Sequence, residues 1–361
     1  MWRNCSAGLI CRHNDIHCPA SVHFWRTGVF AIEHRAVTRR ALVLLCLLAA
    51  PAAAQVPVRV ACAGSPVALP GVDSAQLMAD LAALADDSME GRKVGTAGGA
   101  RARTFVQARF RAIGLDTLST GGLERFPAPA GSPGEAANVV GLIPGRSRPG
   151  RIILVTAHYD HLGMRNGTVY NGADDNASGT AALLAMAAWF RQHPPENTLM
   201  FVALDGEEEG LLGAAAFVTD RPVSLDSILI DINLDMVSRS TKQQLFAVGP
   251  KRYPVLVPYL ARTACSAQVA LMLGHDKGWS GTEDWTTQSD QGAFNAIGIP
   301  FVYFGVEDHP DYHRPTDDVV RIDRRFFLGA SRAIALFAML VDADPEGVAA
   351  ARPVAGKATA P

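Results

Sequence analysis

Apolar and polar positions along the chain fall into an alternating series of helical and extended patterns. Leu77, Leu81 and Leu84 recur at helical spacing, which predicts an amphipathic helix capped by Asp73 or Ser74. Met89-Glu90-Gly91-Arg92 breaks it, and residues 100–113 read as a second helix, with Val106, Phe110 and Ile113 on one face and Gly114 as its stop. Residues 119–137, rich in Gly, Pro, Ser and Ala, read as a surface excursion. Beyond them, short apolar runs at 152–156, 198–204, 228–234 and 300–304 read as strands, alternating with helical runs at 177–190, 211–218, 254–263 and 326–341. That alternation predicts an α/β fold: a single globular domain with a mostly parallel mixed sheet covered by helices on both faces. No internal repeat is apparent. The domain is expected to span 73–342, after a loose linker at 55–72 and before a disordered tail at 343–361.

The N-terminal pattern is of another kind. Arg39-Arg40 precede the apolar run Ala41 to Leu48, then small residues with Pro51 and the Ala52-Ala53-Ala54 triplet. A basic start, a short apolar core and an A-x-A site predict a signal peptide at 37–54, cleaved before Gln55, and hence export to the periplasm or beyond the cell. The run is short for a bilayer span, so no stable membrane anchor is expected. Residues 1–36 carry Cys5, Cys11 and Cys18 and four of the ten histidines, without a C-x-x-C pair. They are read as a mis-assigned start, with the initiator near Val37. Beyond residue 54 the cysteines are Cys62 and Cys265, either a pair in an oxidising compartment or two buried thiols.

Composition narrows the function classes. The 361 residues are 48% hydrophobic and 19% charged, enough for one large core. A formal charge of −2, with no basic stripe, gives no electrostatic case for nucleic acid.

Acidic residues and histidines collect where predicted strands end, the edge at which α/β sheets bind ligands. His158-Tyr159-Asp160-His161 follows the strand at 152–156, and Asp174-Asp175 precede the helix at 177–190. Glu207-Glu208-Glu209 sit between Gly206 and Gly210 after the strand at 198–204. Asp235 closes the strand at 228–234, and Asp308-His309-Pro310-Asp311-Tyr312-His313 follows the last one. Each cluster alone has a bland reading: an N-cap, a solvated acidic face, a loop histidine. Their arrival in strand-end order points to a metal site. Imidazole and carboxylate donors without thiolate suit zinc, with manganese or cobalt as substitutes. Five ligands exceed one tetrahedral ion; two ions about 3.5–4 Å apart that share an Asp account for the set.

These motifs resemble the co-catalytic two-zinc aminopeptidase family, which includes secreted bacterial leucine-type aminopeptidases and, more distantly, glutamate carboxypeptidase-like zinc peptidases and glutaminyl cyclase. The resemblance rests on 157–161, 172–179, 207–211, 234–236 and 312–317, flanked by Met89-Glu90-Gly91-Arg92 and Asn138-Val139-Val140-Gly141. It implies a zinc-exopeptidase-like fold and two Zn2+ per chain. Asp174 would bridge the metals, with Glu208 and His313 completing one site and His158 and Asp235 the other. Glu207 would be the general base, Asp160 the partner of His158, and Tyr312 a donor to the substrate carbonyl. A cis peptide is implied at Asp174-Asp175. Peptides are the implied substrates, cut at the N-terminal bond. Ser289-Asp290-Gln291 stands where many relatives have Ser-Asp-His, a departure that bears on substrate preference. The alternatives are a carboxypeptidase or dipeptidase, which needs a cation such as Arg252 or Lys277 for the C-terminal carboxylate, and a catalytically dead binding relative.

Overall fold

The apolar runs pair into a nine-stranded sheet in the computed structural model, which describes residues 56–276 and 283–351. In chain order its strands are β1 (Val58–Arg59), β2 (Leu123–Phe126), β3 (Ala136–Ile143), β4 (Arg148–His158), β7 (Asn197–Leu204), β8 (Ile228–Leu234), β9 (Gln244–Val248), β10 (Ala270–Leu273) and β11 (Phe301–Gly305). β5 (Gly163–Arg165) and β6 (Thr168–Tyr170) form a separate hairpin. Across the sheet the order is β1-β10-β9-β11-β8-β4-β7-β3-β2. β7, β4, β8 and β11 run parallel in the centre, and β9 pairs β10 in parallel. β1, β2 and β3 pair antiparallel to their neighbours, as does β9 to β11, so the sheet is mixed as expected.

Helices cover both faces because the central strands are apolar on both. Ile153, Val155 and Ala157 of β4 face one core with α1 (Ser74–Leu84), α2 (Ala97–Ile113), α3 (Gly179–Gln192), α5 (Val257–Ala264) and α7 (Arg324–Ala343). Ile152 and Leu154 point the other way, into a smaller core with α4 (Leu212–Asp220) and α6 (Gln291–Ala296). α7 is long and apolar enough to cross a membrane, but its hydrophobic surface is buried in the larger core.

Parallel register brings the functional strand ends together. His158 pairs with Leu204, Thr156 with Asn233, and Phe304 with Leu234. The segments following β4, β7, β8 and β11 therefore emerge along one edge of the sheet.

Three expectations need correction. The presumed linker packs on the domain: β1 extends the sheet beyond β10, Val60 N–H donates to Leu271 C=O, and Ser266 Oγ bonds both backbone groups of Val67. Cys62 is disulfide-bonded to Cys265, which staples this leader to the end of α5. The surface excursion at 119–137 contains β2 and the start of β3. Arg324–Ala343 runs into the presumed tail, followed by α8 (Glu346–Ala349) with Val348 buried. The expectations for 1–54 and for the end of the tail lie outside the described residues.

Candidate metal centre

Four strand ends and one turn supply the site. His158 is the last residue of β4, and Asp160 and His161 follow it. Gly206, at φ 76, bends the chain after β7 so that Glu207 and Glu208 turn inward. Asp235 directly follows β8, and Tyr312 and His313 lie beyond β11. The turn Ala173–Ser178 leads into α3 after Gly172, whose φ is 52; a Cβ there would run into the Asp175 carbonyl and the His161 ring.

Asp175, not Asp174, is the carboxylate at the centre. Its Oδ1 lies 3.5 Å from His158 Nε2, and its Oδ2 lies 3.1 Å from His313 Nε2. His158 Nε2 is also 3.3 Å from Asp235 Oδ1, and His313 Nε2 is 3.3 Å from Glu208 Oε2. The two carboxylates diverge because the backbone between them is pinned: Asp317 accepts the N–H of both Asp174 and Asp175 at 3.1 Å. Asp174 then turns to Ser238, accepting from its N–H at 2.8 Å and its Oγ–H at 2.6 Å, and pairs with His309 at 3.1 Å. Asp174 is thus spent on fastening the end of β8 to the loop after β11. The cis peptide is accordingly Asp175-Asn176, one residue beyond the expected place. Asn176 accepts from the N–H of Gly179 and Met236 and donates to Leu234 C=O, which locks the turn to β8.

The expected neighbours are partly in place. Asp160 Oδ1 accepts the Glu207 N–H at 3.0 Å and stands 3.6 Å from His158 Nδ1, while the Asp160 carbonyl is nearer that nitrogen at 3.3 Å. Glu207 Oε2 is 4.0 Å from His158 Nε2. Tyr312 stacks on His313, with centroids 3.9 Å apart. His161, not among the expected ligands, is fully buried with Nδ1 2.7 Å from Glu208 Oε1 and 3.7 Å from Asp175 Oδ2. Donor atoms therefore gather in two groups that share Asp175: His158, Asp175 and Asp235; and His161, Asp175 and Glu208. His313 joins the second from the cleft side.

The electrostatics fit cations. Burial holds Glu207 well above the usual carboxylate range, opposed by His158. Burial also pushes Glu208 up, but hydrogen bonds from His161 and His313 outweigh it and hold Glu208 well below that range. Desolvation works against the charged form of His313, yet Asp175 and Glu208 push it up to about 10. Asp160 Oδ2 and His161 Nε2 are buried without a hydrogen-bond partner. Buried polar atoms are seldom left so. A cation on each side of Asp175 would satisfy such donors, and imidazole with carboxylate is a zinc donor set.

The family follows from the same segments. The model described as Peptidase family M28 matches residues 138–338, more than half of the chain. The chain belongs to peptidase family M28. Among M28-like relatives, a "Probable zinc metalloprotease" of Pyrenophora tritici-repentis is 26% identical over 223 residues, covering 55% of this chain and 44% of that protein. "Aminopeptidase YwaD" of Bacillus subtilis is 30% identical over 182 residues, covering 48% and 37%. The chain thus spans less than half the length of these curated relatives. Its fold is that of BSAP, a zinc aminopeptidase from Bacillus subtilis, with a TM-score of 0.62 at 17% identity, covering 74% of this chain and 95% of that one.

Around the M28 centre, a cleft is lined by Met236, Trp285, Gln288, Tyr303, Val306, Asp308 and Tyr312 beside Asp175, Glu207, Asp235 and His313. Gln291, in the departing Ser-Asp-Gln, accepts from Asn233 and donates to Trp285 C=O, so it braces a cleft wall. Asp290 beside it is fully buried, with both carboxylate oxygens unpartnered, and burial pushes it up to about 8. Arg92, of the flanking Met-Glu-Gly-Arg, is buried beneath the site. Arg252 lies over the Tyr253 ring and is not among the cleft residues, and Lys277 falls outside the described residues. Reading strand ends found the clusters, but it did not separate Asp174 from Asp175 or select His161. What separates the two aspartates is Asp317, which holds the N–H groups of both so that their side chains diverge.

Proposed function

We propose that this chain is an exported, two-zinc aminopeptidase that hydrolyses the N-terminal bond of peptides. The observation that carries this reading is the placement of Asp175, whose two oxygens face two separate imidazole–carboxylate groups, His158 with Asp235 and His313 with Glu208. His158, Asp235 and one oxygen of Asp175 would hold one zinc; Glu208, His313 and the other oxygen would hold the second. The ions would supply Lewis-acid polarisation of the scissile carbonyl and an acidified water. Asp160 orients Glu207 through its N–H, and the Glu207 carboxylate takes the proton of the attacking water and delivers it to the leaving nitrogen. The Tyr312 hydroxyl donates to the carbonyl oxygen as it gains charge. His161 braces Glu208 from the buried side. Among the described residues no Lys or Arg lines the cleft, which favours recognition of a free α-amine by carboxylates over grip on a C-terminal carboxylate. Export is supported by the Cys62–Cys265 bridge, since such bonds persist in oxidising compartments.

A panel of aminoacyl p-nitroanilides with N-acetylated controls, assayed with and without chelator, tests the reaction. Expected is chelator-sensitive release from the free amines alone, restored by zinc, with two zinc ions per chain by elemental analysis. Glu207→Gln should keep both ions and lose about 10²–10⁴-fold in kcat. Undiminished turnover in that variant would remove Glu207 from proton transfer, and cleavage of the acetylated controls would refute the exopeptidase assignment.

A further inference from the structure

The wall of the cleft carries one carboxylate with no role in holding the centre. Asp308 lines it three residues after β11, yet belongs to neither donor group. Its charged neighbours are the imidazoles of His309 and His313, with Asp235 and Glu283 of its own sign. Both histidines already have other carboxylates: His309 pairs with Asp174, and His313 with Asp175 and Glu208. No Lys or Arg ion pair with Asp308 occurs among the described residues.

Asp308 thus faces the cleft without an ion-pair partner among the described residues. Glu283 is a further acidic neighbour; on its other side Asp308 borders a pocket with Arg239, Lys242 and Arg321, where Lys242 pairs with Glu307 and Arg239 with Asp311. The same cleft is walled by Trp285, Tyr303, Tyr312, Met236 and Val306. Trp285 is held rigidly there, stacked on His275 with centroids 3.8 Å apart and edge-on to Tyr303. Aromatic faces that end at a carboxylate suit a long aliphatic stem tipped with a cation.

We propose that Asp308 is a specificity-determining residue that selects substrates with lysine or arginine at the N-terminal position. This rests on the aminopeptidase reading above. The α-amine would lie among the carboxylates of the centre, while the side chain runs along Trp285 and Tyr303 to Asp308.

The test is the kcat/KM of zinc-loaded protein on lysyl, arginyl, leucyl, methionyl and glutamyl p-nitroanilides, for the wild type, Asp308→Asn and Asp308→Lys. The wild type should favour lysyl and arginyl over leucyl. Asp308→Asn should lower the lysyl-to-leucyl ratio about tenfold, and Asp308→Lys should lower it further and raise the glutamyl-to-leucyl ratio. The wild-type preference should also weaken as salt is raised from 0.05 to about 0.5 M, because the pair sits at the mouth of the cleft. A wild type indifferent to side-chain charge would overturn the proposal. So would an equal loss on all substrates in Asp308→Asn, which would mean that Asp308 acts on the amine or on the fold. A zinc-loaded wild type that hydrolyses none of the five substrates would instead sink the aminopeptidase reading itself.

Discussion

Arg92 is the residue whose removal should most damage the fold beneath the centre. It is fully buried and donates from Nε to Tyr159 C=O at 2.8 Å, from one terminal nitrogen to Leu84 and Asn171 at 2.7 and 2.5 Å, and from the other to Gly172 at 2.9 Å. Those carbonyls belong to the end of α1, the loop between His158 and His161, and the approach to Asp175. One guanidinium therefore ties together three segments that set the donor groups. The backbone that delivers it is unusual: Glu90, Gly91 and Arg92 have φ of 50, 67 and 52, and a Cβ on Gly91 would strike the carbonyls of Gly163 and Tyr170. Burial lowers Arg92 to about 10, countered by Asp175, Asp160, Asp317 and Glu208, so it stays charged at neutral pH.

Arg92→Met keeps an aliphatic stem and deletes every one of those hydrogen bonds. Single bonds to a charged group are worth about 1.5–3 kcal/mol, but these share one donor and do not add. The carbonyls left buried without a donor each cost about 1–3 kcal/mol and relax in part, so a total of about 3–5 kcal/mol is the better guide here. At roughly 2–4 °C per kcal/mol for a large domain, the metal-free variant should melt about 6–20 °C lower by calorimetry. Arg92→Lys, which keeps the charge but loses the fork, should fall between. If metal-free Arg92→Met melted within about 2 °C of the wild type, the guanidinium would not be holding these loops, and its count of hydrogen bonds would be no guide to its role.

Two further outcomes follow from the geometry. Asp175→Asn should abolish tight binding of both zinc ions, whereas Asp174→Asn, which only loosens Ser238 and His309, should weaken it by about 10–100-fold; competition with a chromophoric chelator measures both, and the reverse ranking would restore Asp174 as the shared carboxylate. Glu124, bonded to Asn138, is pushed up to about 7 from 4.5 by burial, so the folded state holds its proton more tightly than the unfolded chain does. Stability should therefore decline as pH rises from about 4.5 to 7 and stay lowered above; Glu124→Gln should melt higher than the wild type at pH 8, by on the order of 1 kcal/mol after solvent screening, with the gap closing towards pH 4.5.

The sheet and the edge that carries the centre were legible because the parallel core is built of uninterrupted apolar runs, and a polar cluster ending such a run can only sit at a rim. The central strands β4, β7, β8 and β11 were all found, and four of the five clusters lie where one of them ends; the Asp174-Asp175 pair sits in the turn before α3. The outer strands were not. β1, β9 and β10 run for only two, five and four residues, and β1 is held by partners far away in sequence, Leu271 through its backbone and Cys265 through the disulfide, which local patterning does not register. Within the acidic turn the failure was finer. Asp174 and Asp175 are chemically identical neighbours, and what separates them is Asp317, more than a hundred residues away, fixing both N–H groups so that one side chain meets Ser238 and the other meets His158 and His313. Residue identity cannot carry that distinction; a remote backbone anchor does.

The same anchoring explains why the fold tolerates so much acid in one place. Asp160, Asp174, Asp175, Glu208 and Asp317 are all buried or nearly so, and the cation beneath them, Arg92, gives its hydrogen bonds to carbonyls and none to a carboxylate. Asp174 and Asp317 are satisfied by backbone N–H groups and a hydroxyl, as structural carboxylates are. Asp175 and Glu208 are faced instead by imidazoles, Glu208 by His161 and His313 and Asp175 by His158 and His313. The division is chemical. Carboxylates that shape the loops are paired with the chain itself, and those at the centre are left for ligands the chain does not supply, so binding of those ligands and stability of the fold must be linked.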